Sequence, residues 1–431
     1  MESVRRVHRR ESHQGQIVLL RRRATYSPHR QRIRSYDGTN GGGGAFNTNQ
    51  WDTRWDYYLD EKNTFFGRYS YTGFTIQAPG AFGLLAGGPS FNNIGYAGSS
   101  DVLNQSLAAG WTHTVNPTLV NELRFGYMRY RVNAVPNGVG TSPAKDAGIP
   151  GLTLDSYFTS GMPAFFINGD QNGNGNSSLG YALNINSCNC PLAQREQQYQ
   201  VVDNLSKMLG NHNIKVGADI RYALNLRVPS DAHRAGELTF GPSYTGLVTG
   251  TGVTQGYGLA SFLLGETTAF RRYVSSNTDA QERQKCWAFY GQDAWRASPK
   301  LTITYGLRWE MAFPETVNAP GHGSTLDLST GDLDVFGKGK ISDHGIQNMN
   351  WHIFAPRLGI AYQLTPKTVV RMGTGVSYSM GTFGSIFGHN VTQNLPVLAI
   401  QSLNASQAFS GVFNLAQGRF RRTSRRPMRT E

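Results

Sequence analysis

Five short polar turns, separated by much longer stretches, constrain this chain more than any other feature. They lie at Asp60–Asn63, Asn116–Thr118, Gly210–Asn213, Ser298–Lys300 and Thr365–Lys367. Three contain Pro, which presets φ for a turn and cannot continue a central strand. Each turn joins two segments in which apolar and polar residues alternate. Leu301, Ile303, Tyr305, Leu307 and Trp309 alternate with Thr302, Thr304, Gly306, Arg308 and Glu310. Ile214, Val216, Ala218, Ile220, Tyr222 and Leu224 alternate with Lys215, Gly217, Asp219, Arg221 and Asn225. Leu123, Phe125 and Tyr127 alternate with Glu122, Arg124 and Gly126, and Val370 and Met372 flank Arg371. A period of 2 places the two sets on opposite faces of a sheet.

Long stretches lie between the hairpins: about 75–102, 133–197, 228–257 and 314–353. Loops above about 15 residues are uncommon in compact soluble domains. Short turns at one end and long loops at the other are the asymmetry of outer-membrane barrels. A soluble sandwich has the same alternation, so strand length decides. Asn213–Leu226 and Leu119–Val132 each run 14 residues, against about 5–6 in ordinary strands and about 9–11 for a tilted membrane crossing. The expected fold is all-β: part of an antiparallel transmembrane β-barrel, with long outer loops and short periplasmic turns. The hairpins supply ten strands, and Ala269–Ser276 is a candidate eleventh.

Charge supports this organisation. The formal net charge is +13, from 41 Lys+Arg against 28 Asp+Glu. Residues 1–36 contribute +8 and residues 418–431 contribute +5, so residues 37–417 are neutral. A basic nucleic-acid-binding core is therefore not expected, and no specific nucleic-acid partner is expected. Charged residues make up 16% of the chain, below the roughly 25% of soluble domains. The expected division is an Arg-rich end without regular structure and a Gly linker over 1–45, a barrel portion over 46–416, and a second Arg-rich end over 417–431. No apolar run reaches 18 residues, which excludes a membrane-spanning helix but not a barrel. The amino terminus does not read as a secretory signal, because Arg21–Arg23 interrupts the apolar run Ile17–Leu20.

No catalytic or metal-binding constellation stands out, so neither an enzyme nor a cofactor is expected. Cys188 and Cys190 form a C-x-C with no His nearby, and Cys286 is remote. Asp170, Asn172, Asn174 and Gly175 imitate the start of a calcium loop, but Tyr181 stands where a bidentate Glu is needed. Gly331–Lys340 fails the spacing of a phosphate loop. His212, His344 and His352 are widely separated and read as surface histidines. The Arg runs at 5–10, 21–23 and 419–426 lack interleaved aromatics and read as tails.

Several segments, in order, resemble the Oar-like branch of TonB-dependent outer-membrane transporters over about residues 46–416. They are Asn121–Tyr127, Gly148–Gly151, His212–Arg221, Leu259–Gly265, Tyr290–Glu310 and Phe354–Leu364. The resemblance implies outer-membrane location, a larger 22-stranded barrel closed by a plug, and import of an external ligand driven by TonB. The expected partners are outer-membrane lipid, the TonB complex in the whole family member, and an imported oligosaccharide, peptide or metal chelate. The plug, TonB box and terminal aromatic strand of that family are not recognisable in the sequence. The chain is thus expected to be a portion of a longer barrel, with Arg-rich ends of the kind a shifted reading frame produces. A partial barrel with two open strand edges is expected to aggregate when expressed alone.

With the apolar row facing lipid, the polar row becomes the candidate lumen-facing set: Glu122, Arg124, Lys215, Asp219, Arg221, Arg308, Glu310 and Arg371. The simpler alternative for these charges is mutual ion pairing. Aromatics near strand ends, among them Trp51, Trp55, Tyr57, Tyr58, Trp287, Trp295, Tyr305 and Trp309, fit interfacial girdles. A second function class, a secreted or surface β-rich adhesin or carbohydrate-binding module, accommodates the same alternation.

Overall fold

All five turns form, and each closes a long antiparallel hairpin. The computed structural model describes residues 18–24, 45–78, 98–152, 157–167, 179–181, 191–228, 234–249, 252–254, 256–345, 348–378, 391–405 and 410–418. Eleven strands build one wall in chain order. They are β1 (Val18–Ala24), β2 (Ala45–Tyr58), β3 (Asn63–Ala78), β4 (Gly98–Asn116), β5 (Leu119–Pro136) and β6 (Leu192–Leu209). They continue as β7 (His212–Val228), β8 (Gln281–Ser298), β9 (Leu301–Ala312), β10 (Ile353–Thr365) and β11 (Thr368–Gly375). Every neighbouring pair is antiparallel. Thr316–Val317 adds a short twelfth strand against the outer end of β8. The wall is open: β1 and β11 are its ends and do not pair. All eight residues of β11 are exposed on both faces, as an unclosed edge requires. β1 falls within the stretch expected to lack regular structure, and it pairs with β2 over all seven of its residues.

Local chemistry explains the turns. Asp60 Oδ1 accepts hydrogen bonds from the backbone N–H groups of Lys62 at 2.8 Å and Asn63 at 2.7 Å, an Asx-type closure. With the Asn63 side-chain amide also donating, these bonds hold the Asp60 carboxyl below its usual range. Asn116, Ser298 and Thr365 accept from the N–H two residues on in the same way. Gly210 takes φ +57°, the left-handed conformation a two-residue hairpin loop needs.

The wall strands are long, with 18 residues in β5 and 17 in β7. Their apolar row is the exposed one: Leu307 is 47% exposed, Val216 44%, Ile220 41% and Phe289 40%. On the opposite face Asp219 is 8% and Glu310 9% exposed. Water favours the reverse arrangement. Lipid favours this one, because it solvates apolar side chains and the wall's ladders satisfy the backbone internally. Aromatics cluster at two levels of the exposed row. Tyr57, Phe65 and Trp111 stack near the turn end, with centroids 6.5 and 6.0 Å apart. Trp309, Trp351 and Phe354 gather towards the loop end, 6.3 and 5.9 Å apart. Trp287 and Trp295 are eight residues apart on β8. That is about 27 Å of strand, or about 20 Å along the axis after a tilt of about 40°.

The long loops are not simply irregular. Segments from two of them, the β5–β6 and β7–β8 loops, with residues after β11, fold into a five-stranded sheet. Its order is Leu398–Asn404, Ala269–Ser275, Glu237–Phe240, Ala164–Ile167, Leu179–Tyr181. Glu237–Phe240 and Ala164–Ile167 run parallel. The core of this cap includes Ile149, Leu152, Phe165, Leu238, Phe240, Phe270 and Phe413. Ala269–Ser275 is therefore a strand, but not the eleventh wall strand expected. Seven residues are too few to cross a bilayer. Phe270 is buried in the cap core, and buried Arg272 donates to the Leu152 carbonyl at 3.0 Å. The Leu259–Gly265 segment forms a short helix, Gly258–Leu263, in which Ser261 Oγ donates to the Gly241 carbonyl at 2.7 Å.

Candidate functional site

The polar face of β5–β9 brings most of the expected charged residues together. Strand register sets one transverse row through Arg124, Val202, Asp219, Ala288 and Glu310. The next row runs through Glu122, Asn204, Gly217, Tyr290 and Arg308. Val202, Ala288 and Gly217 are small positions in these rows, so longer neighbours lie across them.

Asp219 is the hub. Its carboxylate accepts from Arg221 at 2.7 Å, from Gln200 Nε2 at 2.8 Å and from Arg308 at 3.4 Å. Arg308 Nε also donates to Glu310 at 2.7 Å. The four charges Asp219, Arg221, Arg308 and Glu310 form a neutral network that joins β7 to β9 across β8. Glu122 and Arg124 form a separate, more exposed pair at 3.3 Å on β5. Lys215 lies nearer the turns on the same face, and Arg371 on the open edge strand. Neither has an ion pair among the described residues. Ion pairing thus accounts for six of the eight expected residues.

Three polar residues join this face that the charge pattern did not single out: Gln200, Asn204 and Tyr290. The Tyr290 ring crosses Gly217, where a Cβ would meet it at 2.6 Å. This lets the Tyr290 hydroxyl donate to Asn204 Oδ1 at 2.5 Å, two strands away. Cross-strand register places them there: Gln200 lies opposite Arg221, Asn204 opposite Glu122 and Tyr290 opposite Arg308. Cys286 is a free, half-buried thiol.

A second polar cluster lies where the wall meets the cap. Glu282 is fully buried, five residues beyond Trp287 and outside the membrane-spanning part of β8. Asn225 Nδ2 donates to it at 3.3 Å and Thr392 Oγ1 at 3.2 Å. Burial and the nearby Glu315 carboxylate push Glu282 up to about 8. Burial alone pushes Glu315 up to about 7. These carboxyls come from one wall strand and one loop, and no local sequence pattern links them. No group of three or more His, Cys, Asp or Glu side chains suited to a metal occurs among the described residues.

The expected surface histidines divide. His344 is in a loop and His352 is exposed before β10. His212 instead stacks on Trp295 at 5.8 Å and places Nδ1 2.6 Å from Asp293 Oδ2. Cys188, Cys190, the Asp170–Gly175 segment and the Arg runs at 5–10 and 419–426 lie outside the described residues.

A family model for an outer membrane beta barrel domain matches residues 23–429. The chain belongs to that family. Its location is the outer membrane, and its wall is an open, antiparallel sheet. No curated protein matches the chain. It is similar to the ferric citrate transporter FecA, with 11% identity, a TM-score of 0.37, and coverage of 77% of this chain and 36% of that one. For the copper transporter OprC the values are 10%, 0.37, 77% and 37%. For the open form of the ferric-catecholate import receptor Fiu from E. coli K12 they are 10%, 0.39, 86% and 51%. The chain spans between about a third and about half of the length of these structures.

Proposed function

We propose that this outer-membrane barrel chain is the barrel portion of an Oar-like, TonB-dependent transporter that takes up a ligand from outside the cell. The carrying observation is the connected polar face: a neutral, hydrogen-bonded network across β7–β9, beneath a cap folded from the outer loops. Such a face suits a lumen that a plug or solute contacts, because six of its eight charges are already paired with one another. In this reading Glu122, Arg124, Lys215, Asp219, Arg221, Arg308, Glu310 and Arg371 face the lumen, and the cap meets the ligand first. The segments resembling the Oar-like branch support the assignment, since four of the six are wall strands: β5, β7, the β8–β9 hairpin and β10. Residues 46–416 are the span of the Oar-like resemblance, and TonB contact belongs to the whole transporter.

The test is uptake in cells in which this chain's coding sequence is interrupted. Labelled ferric chelates, oligosaccharides and peptides are supplied with and without a protonophore. Loss of energy-dependent uptake of one class supports the transporter reading. Unchanged uptake of all three, with loss of surface adhesion, overturns it in favour of an adhesin.

A further inference from the structure

The lipid-facing side of the wall contains one feature that a purely apolar belt does not need. At Gly291 the apolar row lacks a side chain, and a groove of about 850 Å³ opens between β7, β8, β9 and β10. Val216 and Leu307 flank Gly291 across the two neighbouring ladders. Pro356 and Leu358 complete the far wall. The volume falls in the range of about 300–1,000 Å³ typical of small-molecule sites.

At its turn-side end the groove meets Asp293, which shares the face of Gly291. Asp293 is 8% exposed. Its Oδ2 receives the Tyr305 hydroxyl at 3.0 Å and lies 2.6 Å from His212 Nδ1. The Asn213 backbone N–H faces the carboxylate as well. Oδ1 is buried without a hydrogen-bond partner. A carboxylate on a lipid-facing surface is costly unless its oxygens are satisfied. An unpaired acceptor in the lining of an apolar groove calls for a ligand with a cationic donor at one end and a hydrocarbon chain at the other.

We infer that the groove is a binding site for an ethanolamine phospholipid of the periplasmic leaflet. The ammonium head donates to Asp293 Oδ1, and an acyl chain lies over Gly291 between Val216, Leu307 and Leu358. The short-turn end of a barrel is its periplasmic end, where phospholipid head groups meet the wall. The His212 side chain beside Asp293 is 40% exposed. An anionic phosphatidylglycerol brings no cation, and its phosphate meets Asp293 as a like charge. The inference rests on the outer-membrane placement of the wall and is independent of which solute passes through it.

The test is native mass spectrometry of the full chain extracted in detergent, with phosphatidylethanolamine and phosphatidylglycerol supplied in equal amounts. The unsubstituted protein retains the ethanolamine lipid about tenfold more strongly, the size of one charge-assisted hydrogen bond. Asp293→Asn, which preserves shape, brings the two lipids to near parity. Gly291→Leu fills the groove and lowers retention of both, with circular dichroism confirming the β content of each variant. Equal retention of both lipids by the unsubstituted protein overturns the inference, marking them as an adventitious additive only. A preference that persists in Asp293→Asn overturns it equally.

Discussion

The wall and the cap are built from the same chain by opposite rules. In the wall, large apolar residues such as Leu307 and Val216 are exposed while Asp219 and Glu310 are buried. In the cap, Leu238, Phe240 and Phe270 are at most 1% exposed and pack together. Each arrangement is sensible in its own solvent. Water drives the cap's apolar side chains inwards, whereas lipid offers no such drive and penalises only unsatisfied polar groups. The boundary between these regimes falls at the buried Glu282 and Glu315 cluster, above the loop-end aromatics.

The comparison breaks most visibly in the cap core. Phe240→Ala removes a fully buried ring that stacks on Phe165 at 6.1 Å. It is expected to cost about 3–5 kcal/mol. Hydrogen exchange should accelerate over 237–240 and 269–275 and stay unchanged in β7–β9. A uniform loss of protection in both regions would mean that the two are one cooperative unit. In the wall the informative substitution is Leu307→Arg. At a 47%-exposed position in water it would be close to neutral. Facing the bilayer interior it is expected to cost about 2–4 kcal/mol, measured by denaturant-dependent folding into lipid vesicles.

The smallest effect concerns the boundary. The carboxyl of Glu315 has its pKa raised to about 7 from the ordinary value of 4.5. The folded state therefore holds a proton that the unfolded state releases between those values. Stability from this group is present below about pH 4.5 and lost as pH rises through about 7. Hydrogen exchange around Thr392 and Asn225 should quicken from pH 5 to pH 8. Glu315→Gln should flatten that dependence, while the wall's exchange keeps the same profile in both proteins after correction for intrinsic rates.

The wall was legible in the sequence because its information is local. Period-2 alternation, turn residues such as Asp60 and Gly210, and 14-residue strand lengths all lie within single hairpins. The parity that separates Leu307 from Arg308 also assigns Asp219, Arg221 and Glu310 to one face. The cap was not legible, because its strands are three to seven residues long and come from two separate loops and the residues after β11. A strand near Ala269–Ser275 was expected, but nothing local to it says which sheet receives it. Pairing with Glu237–Phe240 and Leu398–Asn404 is non-local. The Glu282 and Glu315 cluster and the contact of His212 with Asp293 have the same origin. They join positions that register or loop closure brings together.

The central claim is that the apolar row of the wall faces lipid and the polar row faces water. Its most direct test is a cysteine scan along β7 from Lys215 to Arg221, in a Cys286→Ser background, in intact outer membranes. Labels at each position are read for accessibility to a water-soluble maleimide and to a lipid-soluble quencher. The account predicts a period of 2: Lys215, Gly217, Asp219 and Arg221 react from water, while Val216, Ala218 and Ile220 are reached from lipid. Equal access to water on both faces would contradict it.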